Sequence, residues 1–200
     1  ERSMSRLRSP EAGGRSLDRR ERAHLALHWW PLRDDRTRGT VGLSDALAQA
    51  IRCQEARAAV ATVDSILHLG LLSVLQVHEV FASLPERYRA ILRLVDGSAE
   101  SGSETFMRLI LRQLGVPFRT QVQVDGVGRV DFLVAGWLII ECDSKAHHEG
   151  WQMRRRDARR DLAAAQLGLV TFRPLAEDIF YRRVAVMAAV RGLLRAHPAC

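Results

Sequence analysis

The stretch "RVDFLVAGWLIIECDSKAHHEG", residues 129–150, constrains this chain more than any other. Two apolar, β-prone runs are separated by little more than Ala135 and Gly136, so they read as strands joined by a tight turn into an antiparallel hairpin. Folding at that turn brings Asp131, on the first of the two strands, to within about one residue of cross-strand register with Glu141. Strand alternation puts Glu141 and Asp143 on one face and Ile140 and Cys142 on the other, so three acids converge at one end of a small sheet. Like charges that close repel strongly once desolvated, so either their carboxyls hold protons more tightly or a cation sits between them. The cation whose chemistry matches is Mg²⁺ or Mn²⁺, which takes hard carboxylate oxygens, keeps several waters and coordinates phosphate.

The chain around the hairpin continues in the same class. "ETFMRLILRQLG" is a predicted helix, capped by Ser101 or Ser103 and stopped at Gly115 ahead of Pro117. "TQVQV" alternates as a strand and turns between Gly126 and Gly128. After the hairpin come a long helix, "GWQMRRRDARRDLAAAQLG", with Leu162, Ala165 and Leu167 as apolar residues, then a short strand "LVTFRPL" and a last helix from about Glu177 to Arg195. The predicted order over 98–200 is αβββαβα, an α+β domain with a mixed central sheet.

Residues 44–97 read as a helical domain of about four helices. Ser44 and Asp45 are its first capping residues, with Leu47, Ile51 and Cys53 at helical spacing. Val60, Val63 and Ile66 share a second helix that ends at Gly70, and two more helices lie between there and Gly97, around Pro85. A helix-turn-helix DNA reader is disfavoured because "SVLQVHEVFASL" carries no Arg or Lys. Residues 1–43 read as a basic flexible arm with one short strand in "HLALHWW".

Composition narrows the function class. Two hundred residues at 47% hydrophobic content can bury one good core and a smaller second unit. A net charge of +7 favours a polyanionic partner, because cations that neutralise phosphates release condensed counterions; nucleic acid is the expected partner. Nearly all of that charge is Arg, which coding bias also produces. No apolar run reaches the length of a membrane span and no secretory signal is visible, so a cytoplasmic protein without membrane association is expected. Cys53, Cys142 and Cys200 are odd in number and lack CxxC spacing, so neither a disulfide framework nor a zinc site is expected.

"RVDFLVAGWLIIECDSKAHH" followed by "RRRDARRDLAAAQLGLVTFR" resembles the PD-(D/E)XK nuclease superfamily. More closely it resembles the bacterial family related to very-short-patch mismatch repair endonucleases, over roughly residues 98–195. "VDSILHLGLLS", "LVDGSAESGSET" and "VPFRTQVQV" resemble, more weakly, the helical region that precedes the nuclease domain in antitoxin-like members. The resemblance implies a restriction-endonuclease-like fold and Mg²⁺-dependent cleavage of DNA. Repair, phage defence or a toxin–antitoxin system, with that system's partner protein, would be its context. Asp131 and Glu141 would be the metal-binding acids, joined by Glu104 at the start of the preceding helix.

Asp143 stands where the superfamily has lysine. Lys145, the only lysine in the chain, would then supply the cation that holds the attacking water or the developing charge. Of the adjacent His147 and His148, His148 is the expected general base or acid. Arg160 is expected near the site, and Arg154, Arg155 and Arg156 are expected to grip phosphates. The plain alternatives are an exposed turn lysine, surface histidines, a solvated arginine face with intrahelical ion pairs, and Phe172 and Arg173 as core and rim. A nuclease cutting both strands would form a homodimer, whereas a nicking relative need not. The competing reading is a nuclease-like DNA binder or antitoxin-type regulator that does not cut.

Overall fold

The chain, seen in a computed structural model, is described for residues 31–32, 40–142 and 151–197, the side chains of 153 and 154 excepted. Residues 1–30 and 33–39 of the expected basic arm, with the "HLALHWW" strand, and Asp143, Lys145, His147, His148 and the Arg154 side chain lie outside these residues.

The helical segment opens with α1 (Leu43–Cys53) and α2 (Ala56–His68). α1 begins one residue earlier than expected, with Gly42 as N-cap, so Ser44 and Asp45 lie in its first turn rather than capping it. Leu47 and Ile51 are buried, but Cys53 is exposed, because two residues on a helix turn the side chain to the opposite face. α3 (Val74–Ala82) carries a capping box: the Ser73 hydroxyl accepts the Gln76 amide at 3.3 Å and the Gln76 carboxamide accepts the Ser73 amide at 2.9 Å. The fourth predicted helix is only a 3₁₀ turn (Glu86–Tyr88) running into one α-turn, α4 (Arg89–Leu92). Val60, Val63, Val77, Val80, Phe81 and Ile91 pack this segment around its own apolar cluster.

The second segment starts with α5 (Gly102–Leu114), where Ser101 is the N-cap and its hydroxyl accepts the Glu104 amide at 3.2 Å. Next come β1 (Phe118–Val124), β2 (Gly128–Val134) and β3 (Leu138–Ile140), then α6 (Trp151–Gln166) and β4 (Val170–Phe172). The expected last helix is two, α7 (Ala176–Tyr181) and α8 (Arg183–Ala196), broken at Arg182. The fold is therefore mixed α+β. Its four-stranded sheet has the order β1-β2-β3-β4, antiparallel at the first two junctions and parallel at the third.

The β2–β3 turn sets the register that matters. Ala135 and Gly136 have φ of +51° and +79°, and the Trp137 amide donates to the Val134 carbonyl at 3.2 Å, which meets the type I′ requirement of two positive φ values. Phe132 then pairs with Ile140 and Val134 with Leu138. Phe132, Val134, Leu138 and Ile140 pack with Met107 and Ile110 of α5, Ile179 of α7 and Val190 of α8, while Leu133 and Ile139 pack with Ala164 of α6. Among its described residues α6 buries Ala164, whereas Leu162 and Leu167, counted as apolar residues of this helix, are exposed.

The described residues from Leu32 onward belong to one compact unit. Its helical segment and its sheet segment are tied by a buried ion pair: Arg108 of α5 donates from Nη2 to Asp64 Oδ2 of α2 at 2.6 Å. Among the described residues no helix is long and apolar enough to cross a membrane.

Candidate functional site

β3 ends as its last apolar residue, Ile140, gives way to Glu141, whose amide still donates to the Phe172 carbonyl of β4 at 3.1 Å. Continuing the Phe132–Ile140 register by one residue sets Asp131 opposite Glu141. The end of the hairpin is closed by Asp131 itself, whose Oδ2 accepts the Cys142 amide at 2.8 Å.

Both carboxyls are pushed above the ordinary acid range. For Asp131 the largest cause is burial, opposed by the Cys142 amide and reinforced by the negative charges of Glu104 and Glu100. For Glu141 burial again leads, opposed by the Arg173 and Arg160 guanidinium groups and reinforced by Asp131. The Cys142 thiol is pushed up by burial and then by Asp131, Glu104 and Glu141, so all three acids act on one buried point.

Glu104 reaches this point from the first turn of α5. Its Oε1 accepts the Ser101 hydroxyl at 2.8 Å, and its Oε2 accepts the Glu100 amide and the Gln121 carboxamide, each at 2.9 Å. Gln121 lies opposite Asp131 in β1, where the ladder skips a pair between Thr120–Phe132 and Val122–Val130, and its φ is +50°. A non-glycine residue held there is strained, a state that persists where the surroundings over-determine it. Gln121, Glu104 and Asp131 line one small cavity with Thr120, Ser98 and Arg108, and Gln121 Oε1 is buried without a donor among the described residues.

Glu141 is held from two sides. Arg160 Nη2 of α6 donates to its Oε1 at 2.6 Å, and Arg173 Nη2, just after β4, lies 3.0 Å from Oε2 and 2.8 Å from Asp161 Oδ1. Arg160 also donates to the carbonyls of Val127 (3.1 Å) and Arg129 (2.8 Å), which staples α6 to the β1–β2 turn. Arg160, expected near the site, is thus held there by its Nε and Nη2 while it also lines the groove beside α6. Asp161 pairs with Arg173 across the fold. Arg155, Arg156, Arg159 and Gln152 line an open groove against Gly126 together with Arg160, which joins it to Glu141.

The structure therefore brings together Glu104, Asp131, Glu141 and Arg160, and it adds Gln121, Arg173 and the Arg129–Glu100 pair (2.6 Å) to them. Gln121 could have been found by counting back from the Gly126 turn to the residue facing Asp131. Arg173 could not, because the parallel register that sets Phe172 beside Ile140 is not written in either strand. Carboxylate and carboxamide oxygens are hard donors of the class that Mg²⁺ takes, and here both oxygens of Glu104 and of Glu141 already meet protein donors, while Gln121 Oε1 meets none among the described residues. Among the described residues no three His, Cys, Asp or Glu side chains stand already arranged as a ligand group. Compared with known proteins, the chain matches no family model, no curated protein and no solved structure.

Proposed function

We propose that residues 98–200 form an endonuclease-like unit of the PD-(D/E)XK type, with restriction-endonuclease-like topology, that hydrolyses phosphodiester bonds in DNA with the help of Mg²⁺ or Mn²⁺. The observation that carries this reading is the pair of half-buried carboxyls, Asp131 and Glu141, facing each other where the hairpin ends, with Glu104 beside them and an arginine groove adjacent. Asp131 and Glu141, with Glu104, would hold the ion. When bound, such an ion supplies Lewis-acid polarisation of the phosphate and lowers the pKa of the attacking water.

The protein's own residues supply the rest. Arg155, Arg156 and Arg159, with Arg154 beside them in the sequence, position the DNA backbone through phosphate contacts. Arg160 and Arg173 fix the orientation of Glu141. His148 is the proposed general base or acid, Lys145 the proposed cation for the developing charge, and Asp143, two residues after Glu141 in the sequence, a further proposed acid. DNA is the proposed partner, in the cytoplasm, with a second copy or a partner protein of a defence or toxin–antitoxin system as further proposals.

The test is incubation of supercoiled plasmid with protein in Mg²⁺, Mn²⁺ or EDTA, beside Asp131→Ala and Glu141→Ala of verified fold. Nicking or linearisation that requires metal and both acids is expected. Cleavage that survives EDTA and Glu141→Ala would overturn the reading. One observation favours the non-cutting alternative: both oxygens of Glu141 already lie against guanidinium groups. A binder of that kind would keep salt-sensitive DNA affinity without metal and in Glu141→Ala.

A further inference from the structure

A second groove, of about 530 Å³, lies where the end of α5 meets the start of α2 and of α8. Its polar rim is Arg57, Arg112, Arg183 and Gln113, and its wall is Leu94, Leu109 and Ile110, with Glu55 as the one acid lining it. Three guanidinium groups against one carboxylate leave a surplus of two positive charges. Glu104 sits in the first turn of α5 and Arg112 in the last. Eight residues of helix separate them, about 12 Å, so this groove is a different place from the paired acids.

Two of its arginines are already fixed. Arg57 donates from Nε to Glu55 Oε1 at 3.2 Å and stacks over the Phe106 ring at 4.9 Å, which holds its guanidinium plane still. Arg183 donates from Nη2 to the Gln113 side-chain oxygen. Arg57 Nη1 is nonetheless buried without an acceptor among the described residues. A desolvated guanidinium N–H that lacks an acceptor is costly, so Arg57 carries an unmet hydrogen bond at the groove's rim.

We propose that this groove binds a phosphomonoester of a small organic molecule, about the size of a mononucleotide. The dianionic phosphate matches the surplus of two charges and the forked donors of arginine, which bind phosphate oxygens in pairs. Leu94, Leu109 and Ile110 give the organic body an apolar seat, and the volume lies within the usual range of ligand pockets.

The test is titration calorimetry on the whole chain with adenosine monophosphate and, separately, with inorganic phosphate. The variants are Arg112→Gln, Arg183→Gln and the control Arg119→Gln, an exposed residue of β1 that lines neither groove, each checked by circular dichroism. Saturable one-to-one binding of the nucleotide is expected, weakened at least tenfold in Arg112→Gln and in Arg183→Gln and unchanged in the control. Should Arg112→Gln perturb the fold, Arg183→Gln on α8 carries the measurement. No saturable binding to folded protein, or a loss confined to the control, overturns the site. Inorganic phosphate binding as tightly as the nucleotide overturns the role of the apolar wall.

Discussion

Removing one partner of the Asp64–Arg108 pair is expected to be among the most damaging single changes to this fold. Asp64 and Arg108 side chains are 1% and 2% exposed, and they join the helical segment to the sheet segment. Asp64 also accepts the Asp96 amide at 2.7 Å and the Thr105 hydroxyl at 2.8 Å, while Arg108 Nη1 donates to the Leu94 carbonyl at 2.8 Å. Arg108→Met leaves a buried carboxylate without its countercharge and Leu94 without that donor, at a cost of about 3–5 kcal/mol. For a chain of this length that corresponds to a fall in Tm of about 6–20 °C. Asp64→Asn leaves the Arg108 charge facing only the part-exposed Asp96 carboxylate, 4.0 Å from its Nε, and is expected to cost somewhat less. In the double variant the carboxamide at position 64 still offers an acceptor oxygen and no charge is buried, so its cost should lie well below the sum of the singles. Urea unfolding of all four proteins, followed by circular dichroism at neutral pH, completes the cycle. Single costs that simply add, or an Arg108→Met cost below about 1 kcal/mol, would refute the claim that the pair joins the two segments as one unit.

Three further outcomes follow from the site and its turns. Asp131 holds its proton more tightly in the folded chain than in the unfolded one, because burial and Glu104 raise its pKa, so its ionisation opposes folding increasingly as pH rises. Asp131→Asn should therefore gain stability relative to the parent as pH is raised from about 4 to 7; a gap that stays constant in pH-resolved melting curves would contradict the burial argument. Ser101→Ala removes the N-cap of α5 and the hydroxyl that holds Glu104, and should cost about 1 kcal/mol by urea midpoint. Ala135→Asn suits the positive φ of that residue ahead of Gly136, and should raise stability by about 1 kcal/mol; a lower Tm would show that the Ala135 packing against the core outweighs the turn.

Much of the fold is legible locally. The hairpin follows from apolar runs on either side of Ala135-Gly136, and α5 from a serine cap and a terminal Gly115 with φ of +67°. Where the reading failed, a short-range pattern was ambiguous. Alanine and leucine both look apolar on α6, yet the sheet accepts only the small Ala164 at close approach and leaves Leu162 outside. The last helix reads as continuous because nothing in "FYRRVAV" is a breaker, and its interruption at Arg182 appears only once α7 and α8 must both pack Ile179 and Val190 on the same core.

By itself, then, the order of residues determined the alternation, the turn and the convergence of Asp131 on Glu141, because each depends on backbone geometry over a dozen residues. Only the tertiary structure decided which charges those acids meet. Arg160 arrives from a helix and Arg173 from the end of a parallel strand, while Glu104 comes from α5 and Gln121 from β1. Side-chain electrostatics acts through space over a few ångströms, and residues 104, 121, 131, 141, 160 and 173 become neighbours only when the sheet is assembled.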